Sequence, residues 1–233
     1  MPVARGYAPN ATKRQREAKN PENREEGDSM SAKGQLFVIS GFSGAGKGTV
    51  VKGLVEKYGY SLSISATTRA PRPGEVDGKD YYFKTQDEFR TLIDYNGFIE
   101  WAQYVDNYYG TPRKFVEQEM EAGRDVILEI EVQGAAIVKK QYPEARLIFI
   151  TTRDVETLRE RLTGRGSETA EQVEKRIRRA AEEAKLIGNY DYIVVNDDLD
   201  TCIDTVNSVI ISEKCSKEKN KGLIEKLQKD FGA

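Results

Sequence analysis

The densest chemistry in the chain lies in Gly41-Phe42-Ser43-Gly44-Ala45-Gly46-Lys47-Gly48-Thr49, which contains the pattern GxxxxGK. Glycines at this spacing let the backbone curl until successive N–H groups converge on phosphate oxygens. A helix opening directly after them adds the positive end of its dipole, and Lys47 adds a full positive charge. A polyphosphate is the ligand this arrangement fits, with contacts from Ser43, Gly44, Ala45, Gly46, Lys47, Gly48 and Thr49. The strict motif has Ser or Thr directly after the lysine, whereas here Gly48 stands there and the hydroxyl moves to Thr49. Thr49 is therefore the candidate contact to Mg2+, direct or through a water.

A second candidate anion site follows in Ser65-Ala66-Thr67-Thr68-Arg69-Ala70-Pro71-Arg72-Pro73-Gly74. Its prolines favour an extended polyproline-like backbone, whose period of three puts Arg69 and Arg72 on one side, about 9 Å apart. Two guanidinium forks facing one way fit a phosphate; a solvated turn with two unrelated arginines is the competing reading of those residues alone. Tyr81, Glu100, Tyr109 and Thr111 follow within the same stretch. A carboxylate accepts paired hydrogen bonds from guanine N1–H and N2–H2, which adenine does not present in that arrangement, and a hydroxyl donates to O6. Glu129 and Glu131, two apart on an expected strand, point to one face at the C-terminal edge of the sheet, where α/β folds bind ligands. The absence of histidine excludes Ser-His-Asp and Cys-His nucleophile schemes. Phosphoryl transfer to an acceptor that is already an anion survives that exclusion, because it depends mainly on positioning and electrostatics.

These groups need a scaffold. Leu36 to Ile39 reads as a buried parallel strand, and Val50, Val51, Leu54, Val55 and Tyr58 recur at helical spacing until Gly59. Further buried strands are expected at Val126 to Ile130, Arg146 to Ile150 and Tyr192 to Val195, separated by helical stretches. That alternation predicts a parallel sheet with helices on both faces. Between Ser65 and about Arg113 the composition turns to Tyr, Gly, Pro and mixed polar residues, which predicts an insertion. Arg161-Leu162-Thr163-Gly164-Arg165-Gly166 sets charge between glycines, and Thr169 with Gln172 forms a capping-box start for a helix carrying Val173, Ile177, Ala180 and Ala184. A helix–turn–helix flap is the expectation. Residues from about Leu199 to the end read as terminal helix.

With 36 basic and 38 acidic residues the net charge is −2, so no global positive field points to nucleic acid. No apolar run approaches a membrane span or a signal-peptide core, which makes the cytoplasm the expected compartment. Cys202 and Cys215 form no CxxC pair, and neither a disulfide nor a zinc site is expected. Residues 1–33, polar and without apolar periodicity, are expected to be a disordered extension.

Together the segments GFSGAGKGT, SATTRAPRPGEVDGKDYYF, FIEWAQ, NYYGT, EIEVQG, RLTGRGSET and IVVNDDL resemble the guanylate kinase family in order and over residues 35 to 211. The resemblance implies transfer of phosphate from ATP to GMP on a phosphate-loop NTPase core of three layers, with a mixed-β GMP-binding insertion and a helical lid. It implies a kinase domain over 34–211, with core 34–64, 114–157 and 180–211, insertion 65–113 and lid 158–179, followed by a helical tail 212–233. Ser65, Arg69, Arg72, Tyr81, Glu100, Tyr109 and Thr111 would then bind GMP, the arginines and tyrosines on its phosphate and the others toward the base. Glu129 joins that set, and Glu131 takes a position usually held by aspartate near the guanine amino group. Arg161, Arg165 and Arg176 would reach ATP phosphates on closure, with Asn196 and Asp197 toward the adenine. Lys47, Arg69, Arg165 and Arg176 would be the catalytic charges. Phe42 stands where the family usually has proline, a change expected to be structural. The rival from another class is a protein-interaction module that keeps this fold and has lost catalysis.

Overall fold

The computed structural model describes residues 33–104, 106–164 and 169–232. The expected N-terminal extension, up to residue 32, lies outside the described residues, as does Arg165. Strand β1 (Leu36–Gly41) is buried along its whole length and runs through the glycine-rich loop into α1 (Lys47–Tyr58). Gly59, in the left-handed region at φ 73°, closes that helix where its apolar period ends. The short strands β2 (Ser61–Leu62), β3 (Ala66–Thr67) and β4 (Tyr82–Phe83) follow. Helix α2 (Gln86–Asp94) starts on a Thr85/Glu88 capping box. It leads to β5 (Phe98–Tyr104), β6 (Asn107–Pro112) and α3 (Arg113–Glu121). Next come β7 (Val126–Glu129), α4 (Val132–Gln141), β8 (Arg146–Thr151) and α5 (Val155–Thr163). Helix α6 (Ala170–Ala184), a 3-10 turn at Ile187–Asn189, β9 (Tyr192–Val195), α7 (Leu199–Lys214) and α8 (Lys221–Asp230) complete the chain.

The central sheet has the order β2-β7-β1-β8-β9 and every pairing is parallel. Alternate β1 side chains serve opposite faces. Phe37 and Ile39 pack with Val50, Val51 and Leu54 of α1 and with Ile203, Val206 and Ile210 of α7. Leu36 and Val38 pack with Val116 of α3 and with Ala135 and Val138 of α4. This is the three-layer α/β core that the alternating pattern predicts, and each fully buried Val, Leu, Ile or Phe in it contributes about 1.5–3 kcal/mol. The second sheet, β4-β3-β6-β5, is mixed: β3 pairs parallel to β4 and antiparallel to β6, and β5 is bulged against β6 between Phe98 and Trp101. Its own small core stacks Phe89 between Phe98 and Tyr108, with ring centroids 4.4 and 5.6 Å away.

Two expectations are corrected by the structure. The C-terminal region is two helices rather than one, because Asn220 donates from Nδ2 to the carbonyls of Lys214 and Ser216 and stops α7 short of α8. The polyproline-like run after Arg69 bends at Arg72-Pro73-Gly74-Glu75, where the Glu75 amide donates to the Arg72 carbonyl and Gly74 takes φ 91°.

Phe42 joins two cores. Its ring meets Phe149 edge-on at 5.0 Å and also packs on the cluster of Leu158, Leu162, Val173 and Ala180. Phe149 is fully buried and also meets Tyr190 edge-on at 5.0 Å. Phe149→Ala is expected to cost about 3–5 kcal/mol in urea unfolding; a loss below about 1 kcal/mol would contradict this packing.

Candidate active site

A loop that turns its N–H groups outward turns carbonyls inward, and those carbonyls need donors. Lys47 Nζ donates to the carbonyl oxygens of Gly41 at 2.7 Å and Phe42 at 3.2 Å. The Ala45 carbonyl accepts from Asn196 Nδ2 at 2.8 Å and from Arg161 Nη1 at 3.4 Å, and Arg161 Nη2 donates to the Asn196 carbonyl at 2.7 Å. Asn196, from the turn after β9, is buried beneath the loop. Gly46, at φ 93°, precedes α1, and a β-carbon there would lie 2.5 Å from Asn196 Nδ2, so the glycine serves both the backbone conformation and the close approach. Ser43 Oγ accepts from Arg176 Nη1 of α6 at 3.2 Å. Thr49 is exposed on the first turn of α1. Asp197 pairs with Arg153 at 3.3 Å on the surface.

The residues expected on the acceptor side gather around the second sheet. The Arg69 guanidinium lies over the Tyr81 ring, 5.4 Å from its centroid, and Tyr81 meets Tyr109 edge-on at 6.1 Å. Arg69 Nη2 also donates to Glu75 Oε1 at 2.8 Å, and that bond is the first cause of its raised pKa. Arg72 has its side chain in solvent, and its backbone amide donates to Glu75 Oε2 at 2.7 Å. Glu100 on β5 is 6% exposed, and its Oε1 accepts from Thr111 Oγ1 of β6 at 2.6 Å. Burial raises the Glu100 pKa, with the Thr111 hydrogen bond drawing it partly back. Ser65 lies just ahead of β3, and its carbonyl accepts the Tyr82 amide at 2.9 Å.

Between the two halves lies the C-terminal edge of the sheet. Burial raises the Glu129 pKa against the pull of Lys47. Gly48 faces this group: a β-carbon there would sit 3.5 Å from Glu129 Oε1. Glu131 caps α4 at its N-terminus and its Oε2 accepts from Arg179 Nη2 of α6 at 2.9 Å.

Three residues beyond the predicted set shape the site. Glu75 holds Arg69, Arg179 holds Glu131, and Gly134 in the first turn of α4 leaves room for Glu100. A β-carbon on Gly134 would lie 2.7 Å from Glu100 Oε2. The sequence signal for Gly134 is a glycine inside the first turn of a helix, where it lowers helix propensity and so points to a close approach. Glu75 and Arg179 have no such local signal.

A sequence model of the family described as guanylate kinase matches residues 33–213. A guanylate kinase of Caldanaerobacter subterraneus subsp. tengcongensis is 48% identical over 203 residues, covering 87% of this chain and 98% of that protein. One from Synechocystis is 50% identical over 188 residues, covering 80% of this chain and 98% of its own length. The crystal structure of guanylate kinase from Anaplasma phagocytophilum superposes with a TM-score of 0.72 at 32% identity, covering 87% of this chain and 97% of that one. With the phosphate loop, the buried Glu100–Thr111 pair and the Arg69–Tyr81–Tyr109 group already placed by the fold, these likenesses show that the chain belongs to the guanylate kinase family.

Proposed function

We propose that the protein acts as an ATP:GMP phosphotransferase in the cytosol through the residues gathered here, transferring the γ-phosphoryl group of ATP to GMP and giving ADP and GDP. The observation that carries the residue assignment is the buried Glu100–Thr111 pair, set on the same small sheet as Arg69, Tyr81 and Tyr109. A buried, ionised carboxylate aimed at a purine reads guanine by accepting from N1–H and N2–H2. Thr111 and Ser65 complete the base end, while Arg69, Arg72, Tyr81 and Tyr109 hold the acceptor phosphate. Lys47 and the loop amides bind the donor phosphates, and Arg161, Arg165 and Arg176 add charge from the lid. Asn196, bonded to the loop, acts by fixing its shape, with Asp197 beside it toward the adenine. An oxygen of the GMP phosphate attacks the γ-phosphorus in line, and the cationic groups offset charge on the transferring group.

Mg2+ in kinases is held largely by substrate phosphates with one or two protein oxygens. Among the described residues no group of three or more His, Cys, Asp or Glu could hold a metal by itself. The Thr49 hydroxyl and the Glu129 carboxylate, both beside the phosphate loop, fit the lesser donor set that Mg2+ needs here and would hold it. When bound it supplies charge neutralisation to the phosphates.

Intact Lys47, Gly46, Arg161 and Arg176 speak against a module that has lost catalysis. The deciding measurement is ADP release with GMP, AMP, UMP and CMP as parallel acceptors; turnover confined to GMP is expected, and equal turnover with AMP would sink the base reading.

Lys47→Ala is expected to lower kcat by at least about a hundredfold with an unchanged circular dichroism spectrum. Near-normal turnover in that variant would overturn the donor assignment. Gly134→Ala gains helix propensity of about 1 kcal/mol yet crowds Glu100. GMP KM should rise several-fold with ATP KM unchanged, and equal changes in both would contradict the contact.

For pH, the signs at Glu100 oppose. Its folded-state pKa lies above the unfolded value, so the folded chain holds the proton more tightly and this group stabilises the fold as pH falls through that window. The same protonation removes an acceptor from guanine, so GMP KM should rise on acidification before the ordinary glutamate range at about 4.3 is reached. That rise should be missing in Glu100→Gln. A GMP KM that stays flat down to the ordinary range would refute the assignment.

A further inference from the structure

We infer that Arg179 is a positioning residue that couples acceptor binding to donor binding by tying the lid helix α6 to Glu131. The inference rests on the ATP and GMP sites proposed above and adds a connection between them. Arg179 spans two carboxylates: its Nε donates to Glu183 Oε1 at 2.9 Å and its Nη2 donates to Glu131 Oε2 at 2.9 Å. The two bonds differ in kind. Glu183 is one turn further along α6, its side chain is 3% exposed, and its other oxygen is buried with no partner among the described residues. Breaking that bond would leave a buried carboxylate with neither oxygen paired, so Arg179 stays on Glu183. Glu131 has a side chain 51% exposed, and a pair of that kind is weak and breakable. The result is a fixed bond to Glu183 beside an adjustable contact to Glu131.

That contact joins the halves of the site. Arg176, three residues before Arg179 on α6, reaches Ser43 of the phosphate loop at 3.2 Å. Glu131 is the N-cap of α4, and Gly134 in the first turn of that helix abuts Glu100. Donor phosphates that draw α6 onto the loop through Arg176 therefore draw on Glu131 through Arg179, and so on the α4 turn that backs Glu100. Acceptor binding at Glu100 biases the same contacts in return, as linkage requires. The arm length matters. An aspartate at 131 would be shorter by one methylene and fall short of the Arg179 fork, so the coupling belongs to this Glu131/Arg179 combination.

The test is calorimetric titration of the full chain with GMP, alone and with saturating ADP as a donor-site probe. For the unaltered protein, ADP should tighten GMP binding by about fivefold or more. Arg179→Gln and Glu131→Asp should each bring that ratio close to one, and the double variant should change it no further. Unaltered ratios in both single variants, additive effects in the double variant, or a ratio of one in the unaltered protein would each overturn the coupling. Glu131→Asp leaves the buried Arg179–Glu183 pair in place, so the test holds if Arg179→Gln fails to fold. Failure of the unaltered protein to bind GMP or ADP at all would instead strike the site assignment itself.

Discussion

The carbonyls of the phosphate loop are the constraint from which much of the structure follows. Amides aimed at a ligand force their carbonyls toward the protein, and an unpaired buried carbonyl costs about as much as a lost hydrogen bond. Lys47 supplies donors to Gly41 and Phe42, and Asn196 and Arg161 supply them to Ala45. These donors come from α1, from the end of β9 and from α5, so the loop's shape is set by the order of the parallel sheet. Strand β9 lies at the edge, next to β8, and β8 lies next to β1, which brings Asn196 beneath the loop. Phe42 adds an apolar tie from the loop to Phe149 and to the helices that carry Arg161 and Arg176.

A second constraint is the burial of carboxylates. Glu100, Glu129 and Glu183 all have their pKa raised first by burial, and Tyr190, near Glu183, is pushed up to about 12 by the same cause. Each such group works against the stability of the ionised folded state. Each is also partly compensated by a specific neighbour: Thr111 for Glu100, Lys47 for Glu129 and Arg179 for Glu183.

What was legible in the sequence was whatever is decided locally. The glycine-rich loop, the α1 period ending at Gly59 and the Thr169/Gln172 capping box all appear where their spacing places them, because each depends on neighbours a few residues away. The central strands were legible for a related reason, since burial on both faces writes a continuous apolar run. The two-residue strands β2, β3 and β4 carry no such run. They exist because partners from elsewhere in the chain meet them: β7 pairs with β2, β6 with β3, and β3 in turn with β4. The pairing of Glu131 with Arg179, 48 residues apart, is a fact of topology that no spacing rule reaches. Arg69 and Arg72 show the intermediate case: the prolines were read as an extended run, and Glu75, bonded to the Arg69 side chain and to the Arg72 amide, bends it into a turn.

If this half holds the acceptor phosphate, as proposed, that turn bears on how it stays stable when it holds none. An arginine set among tyrosines is an uncompensated charge unless a counter-charge stands close by. Glu75 is that counter-charge, and it binds Arg69 with a single oxygen at 2.8 Å from within the same loop. Both side chains are largely buried, 16% and 18% exposed, so the pair is stronger than a surface ion pair, and the guanidinium is fixed by it over Tyr81. Both arms of the fork are engaged, since Arg69 Nη1 donates to the Ala70 carbonyl at 2.7 Å. Under the proposed reading, a phosphate dianion brings more charge and more acceptor oxygens than these two partners and would compete with them for the guanidinium N–H groups. The internal carboxylate thus orients the arginine over Tyr81 and keeps its charge in balance.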